Sequence, residues 1–586
     1  MFKLFKNFTK KDIGMIIVSI VLVVFQVWLD LKLPDYMSAI TRLVQTDGAA
    51  MADILRQGGY MLLCAFGSLI SACIVGFLAS NLSANFSYTL RSKVYNKVLN
   101  LSTAEVKQFQ TSSLITRTTN DITQLEMLIS IGLQLLIKAP IMAVWAITKI
   151  LNKSIEWSML TAGCVVILLC VVIGLMLIVL PRFEKVQKLI DKINNVTRES
   201  ITGIRVIRAF NAEKYQENRF EKVNDDLTNM QLFNQKCFAI LNPIMMLVMN
   251  GLTLGIYAIG TYLINNAIIS VKISLFSDMV IFSSYGIQVI MSFLMLAMIF
   301  MMWPRAQISA RRINEVLDCK VSIKDGKDDI KPTEVGTVEF KNVSFKYPDA
   351  DEYLLRNISF KVNKGETIAF IGSTGSGKSS LINLVPRFYD ATDGEVLVDG
   401  VNVKNYSLEE LHNKLGYIPQ KAVMFTGTVK SNVAYGTKKG KKPSDKKVSE
   451  AINIAQAEEF VSKMEGGLDA HIARGGTNVS GGQKQRLAIA RSIARDPEIY
   501  IFDDSFSALD YKTDATLRSE LKKYTKDATS MIVAQRIGTI INADKIVVLD
   551  KGTCVGIGTH QELLKNCEVY KEIALSQLSK EELENA

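Results

Sequence analysis

The chain has 586 residues and a mass of 65.1 kDa, is 48% hydrophobic and 21% charged, and has a mean hydropathy of +0.19. That composition excludes a disordered chain, which is poor in apolar residues, and the collagen-like and disulfide-stapled classes. The net charge of +11 invites a nucleic-acid partner, but its placement argues against one: residues 1–310 hold 28 Lys and Arg against 18 Asp and Glu, and residues 311–586 hold 40 against 39. The basic half is also the apolar half.

Apolar runs at 13–34, 58–80, 132–151, 157–180, 240–264 and 276–303 each approach the ~20 residues that cross a hydrocarbon core as a helix. Six membrane helices are predicted over residues 1–310. Lys138 and Pro140 interrupt the third run, which predicts a helix facing a water-filled cavity. The first run is too long for a cleavable leader and no small-residue cleavage site follows it. Twenty Lys and Arg fall before residue 13, at 81–131 and at 181–239, among them Lys3, Lys6, Arg91, Lys97, Arg182, Arg205 and Arg208. The alternate connections are short and hold Arg42, Arg56, Lys153 and Lys272. Basic residues collect on the cytoplasmic side, so both termini and the two long connections are expected there, with the helices continuing past the bilayer.

Gln134, Lys138, Asn250 and Gln288 are expected to face a cavity or other helices instead of lipid. Met245, Met246, Met249, Met291, Met295, Met298, Met301 and Met302 make the last two runs methionine-rich, which suits core packing or an adaptable apolar surface. The eight cysteines include no CxxC and read as reduced thiols.

Residues 311–335 read as a polar connector, with a charged stretch at Lys324–Lys331. From 336 to 586 the pattern is α/β. Strands are expected at Thr337–Phe345, Glu366–Ile371, Gly394–Val398, Ile499–Phe502, Ser530–Val533 and Lys545–Leu549. The lysine cluster Lys438–Lys447 reads as a solvated loop.

Between a predicted strand and a predicted helix stand Gly372, Ser373, Thr374, Gly375, Ser376, Gly377, Lys378, Ser379 and Ser380, which fit GxxxxGK[ST] in the context it requires. Glycines let backbone N–H groups wrap phosphates at a helix N-terminus. Lys378 would reach the β- and γ-phosphates of ATP, and Ser379 would ligate Mg²⁺. The apolar strand ending in Asp503 supplies the second metal-side element.

Val479-Ser480-Gly481-Gly482-Gln483 lies between these two motifs, and with it the sequence resembles the ATP-binding cassette family, whose signature this is. The resemblance spans nearly the whole chain. It implies that Tyr347 stacks on adenine, that Gln420 is the Q-loop residue at the metal, and that Ser507 to Asp510 form the D-loop. The first half is similar to the six-helix exporter domain, and 113–121 and 203–210 are similar to its cytoplasmic coupling loops. One membrane domain followed by one cassette looks like a half-transporter. In such families two cassettes pair head to tail, and the signature Ser480, Gly481, Gly482 and Gln483 serves the partner's ATP.

Two positions depart from the family pattern. Efficient members have Glu after the Walker B Asp, where this chain has Asp504, and His in the switch loop, where it has Gln535. The only histidines are His412, His471 and His560. Asp is shorter than Glu by about 1.5 Å, and misplacement by about 1 Å costs roughly 10²-fold in rate. Gln535 can hydrogen-bond the γ-phosphate but carries no charge. These changes lower hydrolysis and leave the binding groups in place. Arg474 also stands where the family often has Glu.

The expected protein is thus one half of a heterodimeric exporter in a bacterial plasma membrane, moving hydrophobic small molecules past membrane lipids. Its own site is hydrolytically weak, and a second half-transporter subunit supplies Glu and His. Export of lipid or peptide, and an ATP-gated channel or sensor, are the alternatives.

Overall fold

The computed structural model describes residues 2–6, 8–46, 50–151, 155–326, 332–436 and 441–578. Lys153, residues 327–331, Lys438, Lys439 and the side chain of Met301 lie outside the described residues. The chain divides into two compact units, one of residues Met1–Leu99 and Thr111–Cys319, the other of Asn100–Gln110 and Lys320–Ala586.

The first unit is helical. Among the described residues, six helices are long and apolar enough to cross a membrane: Lys10–Gln45, Met51–Leu99, Thr111–Leu151, Ile155–Thr202, Glu213–Asn266 and Val271–Asp318. Each outruns its apolar stretch, as the helix-compatible polar connections predict. The first is started by a capping box in which Asp12 N–H donates to Thr9 Oγ1 and Thr9 N–H to Asp12 Oδ2. Pro34, Pro140, Pro181 and Pro304 are accommodated inside helices.

Charges inside the apolar bundle are paired, because an isolated charge there is costly. Lys138 Nζ lies 3.0 Å from Asp30 and Lys149 Nζ 2.9 Å from Asp35. Tyr285 Oη donates to Asp35 at 2.7 Å, and Gln288 lies against the same helix at the Asp30 carbonyl, 3.5 Å away. Asn250 is exposed on this chain.

The stretch packed into the second unit is 100–110, with the short helix Thr103–Phe109 at its centre. Residues 113–121 belong to the helical unit. There Ser309 Oγ donates to Asp121 at 3.0 Å, Arg312 Nε lies 3.4 Å from the same carboxylate, and Arg117 Nη1 donates to the Arg312 carbonyl. Residues 203–210, the second stretch similar to a coupling loop, hold the short helix Ile204–Ala209.

The second unit is α/β. Its main sheet runs Thr553–Gly558, Lys545–Asp550, Thr367–Gly372, Thr529–Val533, Ile499–Asp503, Leu415–Ile418. All neighbours are parallel except the edge strand Thr553–Gly558. A four-stranded antiparallel sheet, Leu355–Val362, Val338–Phe345, Asp393–Val398 and Val401–Asn402, packs over it through Phe340, Phe360 and Phe370.

Candidate functional site

Ligand sites of open parallel sheets lie at the carboxyl ends of the strands. Here those ends are aligned by register: Val533 pairs with Asp503 on one side and Phe370 on the other, and Ile418 pairs with Phe502. Four loops therefore leave the sheet in one row, carrying Gln420, Asp503 with Asp504, Gln535 and the glycine loop.

The glycine loop needs its glycines. Gly372 has φ of 155°, and a Cβ there would run into the Leu549 carbonyl oxygen; Gly377 has φ of 93° and would meet Leu355. Gly375, at φ 86°, has open space beside it, the concave side on which phosphate can sit. Lys378, which opens the helix Lys378–Ile382, curls back so that Nζ donates to the carbonyls of Gly372 and Ser373 at 2.8 Å. Burial lowers the Lys378 pKa, while Asp504 and Asp503 oppose that fall.

Ser379 Oγ donates to Asp503 Oδ1 at 2.6 Å, a charge-assisted bond. Asp503 ends a strand buried along its whole length, and burial raises its pKa despite the serine. A serine hydroxyl and a carboxylate in contact are the hard oxygen donors that Mg²⁺ takes, so the residues present fit a metal-bound nucleotide.

Asp504 sits in the left-handed region with φ of 46°, which Asp tolerates better than most residues. Its Oδ2 accepts from Gln535 Nε2 at 2.8 Å and from Gln420 Nε2 at 3.3 Å. Burial raises its pKa; the Gln420, Ser507 and Gln535 hydrogen bonds and Lys378 pull the other way. Gln535 thus spends its amide on the carboxylate that follows the strand.

The structure also shows what holds Gln535. Gln577, near the end of the described chain, donates from Nε2 to the Gln535 carbonyl and accepts at Oε1 from Ile537 N–H, at 2.8 and 2.9 Å. No sequence signal marked Gln577.

Tyr347 Oη is 2.7 Å from Ser380 Oγ, beside the glycine loop. Its ring meets Tyr389 edge-on at 5.2 Å, and Lys107 lies 5.4 Å from one ring centroid and 5.7 Å from the other. The signature residues stand apart from this network. Ser480 and Gln483 form a capping box at the start of the helix Gly481–Arg495, where Gly481 leaves open space. Ser507 Oγ donates to the Asp504 carbonyl at 2.9 Å, which joins the D-loop to the site; Asp510 caps the helix Tyr511–Tyr524.

Taken together, a glycine loop shaped to cradle phosphate, a serine–aspartate pair and a second carboxylate make a P-loop nucleotide site in a chain that also carries a six-helix unit. The comparisons with known proteins carry this to a family. The family described as ABC transporter transmembrane region matches residues 16–293, and the one described as ABC transporter matches residues 355–507. An uncharacterised ABC transporter ATP-binding protein of Mycobacterium tuberculosis is 37% identical over 554 residues, covering 92% of this chain and 93% of the relative. A putative multidrug export ATP-binding/permease protein of Bacillus subtilis is 31% identical, covering 83% of each. The solved structure of a bacterial Atm1-family ABC exporter with ATP bound shares the fold, with a TM-score of 0.83 at 24% identity over 97% of this chain and 100% of that one. The chain belongs to the ABC transporter family, as a multi-pass membrane protein with an ATPase domain of the kind that couples ATP hydrolysis to transport.

Proposed function

We propose that this chain is one half of a heterodimeric exporter of amphipathic or hydrophobic compounds, and that its own Walker site binds ATP and turns it over slowly. The observation that carries the reading is the pair Asp504 and Gln535. The carboxylate is the short one, and Gln535 is hydrogen-bonded to it at 2.8 Å. Gln535 cannot shuttle a proton or present a positive charge to a γ-phosphate.

The binding groups support ATP capture. Lys378 and the glycine loop would hold the phosphates, Ser379 and Asp503 with Gln420 the Mg²⁺, and Tyr347 the adenine; bound Mg²⁺ neutralises charge between the phosphates. Ser480, Gly481, Gly482 and Gln483 would close on the partner's ATP. A partner with Glu and His then carries the fast hydrolysis, and closure of the two cassettes turns the membrane units outward. The name of the Bacillus subtilis relative, multidrug export, supports the choice of cargo.

The test is purification of the full chain alone and with a co-encoded half-transporter. The chain alone hydrolyses ATP slowly and the pair hydrolyses it fast. In the pair, Asp504→Asn costs less activity than Glu→Gln at the partner's matching position. Brisk turnover by the chain alone, or equal losses from the two substitutions, contradicts the reading.

A further inference from the structure

We propose that a cavity of about 890 Å³ in the helical unit is a binding site for an amphipathic anion, with Arg305 as the group that captures the charge. The proposal rests on reading the chain as an exporter and names the class of compound it takes. The volume suits a single drug-sized ligand.

The lining comes from 116–127, 183–194, 231–238 and 302–312. These lie mostly on the polar extensions of the long helices, next to the apolar runs and not within them. Met127, Phe183 and Phe238 supply an apolar surface. Gln124, Asn194, Gln231 and Asn234 supply carboxamides, each both donor and acceptor. A body that is apolar on one side and polar on the other matches such walls.

Two observations point to a ligand. Asn234 is only 6% exposed, and its Oδ1 has no hydrogen-bond partner among the described residues. Buried polar atoms in native proteins are almost always paired, so one left open on a cavity wall is a contact to be filled. The second is the setting of Arg305, one of two arginines and two aspartates on the lining. Arg312 is engaged with Asp121 at 3.4 Å, and Asp191 accepts from Gln187. Arg305 has no carboxylate partner among the described residues; its guanidinium instead lies 5.3 Å from the Phe183 ring centroid. Stacking on a ring leaves the planar fork of N–H donors available, and that fork fits carboxylate, sulfonate or phosphate.

The experiment measures equilibrium binding without ATP, using the full chain with its co-purifying subunit in nanodiscs of zwitterionic lipid. Labelled taurocholate is the anionic probe and rhodamine 6G the cationic one. Taurocholate binds. Arg305→Gln weakens it about tenfold, Arg305→Lys recovers part of the loss, Asn234→Leu weakens it too, and rhodamine 6G is unmoved by Arg305→Gln. Adding phosphatidylglycerol to the nanodisc displaces taurocholate where the natural anion is a lipid, and leaves it bound where the anion is soluble; either result keeps the site. Absence of taurocholate binding, an unchanged affinity in Arg305→Gln, or an equal loss for rhodamine 6G overturns the proposal. Binding that holds with no ATP-driven uptake into vesicles refutes the export reading and leaves this site standing.

Discussion

Asp504 is a carboxylate kept where burial disfavours its charge, and this gives a stability signature separate from catalysis. Its folded-state pKa is raised above the ordinary 3.8. A raised acid favours folding below its unfolded pKa and loses that contribution as pH rises through the folded one. Asp504→Asn removes the buried charge and keeps an oxygen for Gln420 and Gln535. The variant is therefore expected to melt higher near neutral pH without nucleotide, with the gap closing as pH falls toward 3.8. Calorimetry of both proteins across pH checks this, and a gap that widens on acidification counts against it. At this scale the sequence was fully informative about identity, since the glycine loop, Asp503, Asp504 and Gln535 are all legible. It was silent on the bond between Asp504 and Gln535, because that pairing follows from the register of two adjacent parallel strands, with Val533 opposite Asp503.

Among the elements, the tie at Gln577 and the segment 100–110 carry predictions. Gln577→Ala leaves the Gln535 carbonyl and the Ile537 N–H without their partner; the first bond is exposed and the second part-buried, so the loss is about 0.5–1.5 kcal/mol per bond at most. Hydrogen exchange at 534–537 should speed up while the strand Thr529–Val533 stays protected; unchanged exchange would show that the tie holds nothing. Lys107 on the helix Thr103–Phe109 covers Tyr347 and Tyr389. A cation–π contact at an exposed site is worth about 0.5–1 kcal/mol, so Lys107→Ala should weaken ATP binding about two- to fivefold, read by equilibrium titration. No change would mean the lysine does not support the adenine contact proposed for Tyr347. The strands missed in the sequence have physical reasons. Leu355–Val362 is broken by register shifts and by Asn357 at φ 49°. Leu415–Ile418 is four residues long with a glycine, and Thr553–Gly558 is an edge strand with two glycines.

For the whole molecule, the +11 net charge is a membrane feature. Its excess sits in the helical unit, along connections flanking six long apolar helices. Hydropathy made those helices legible, while the ion pairs Asp30–Lys138 and Asp35–Lys149 needed coordinates, since the partners stand on helices about a hundred residues apart in sequence and no local pattern pairs them. The central claim is that this chain's own site captures ATP but hydrolyses it slowly because of Asp504 and Gln535. The most direct measurement is ATP affinity and turnover of the purified full chain, before and after the double substitution Asp504→Glu with Gln535→His. Tight binding with slow turnover that rises on the order of 10²-fold in the double variant, at nearly constant affinity, is the predicted result. Fast turnover before substitution, or no gain after it while ATP still binds, would contradict the account.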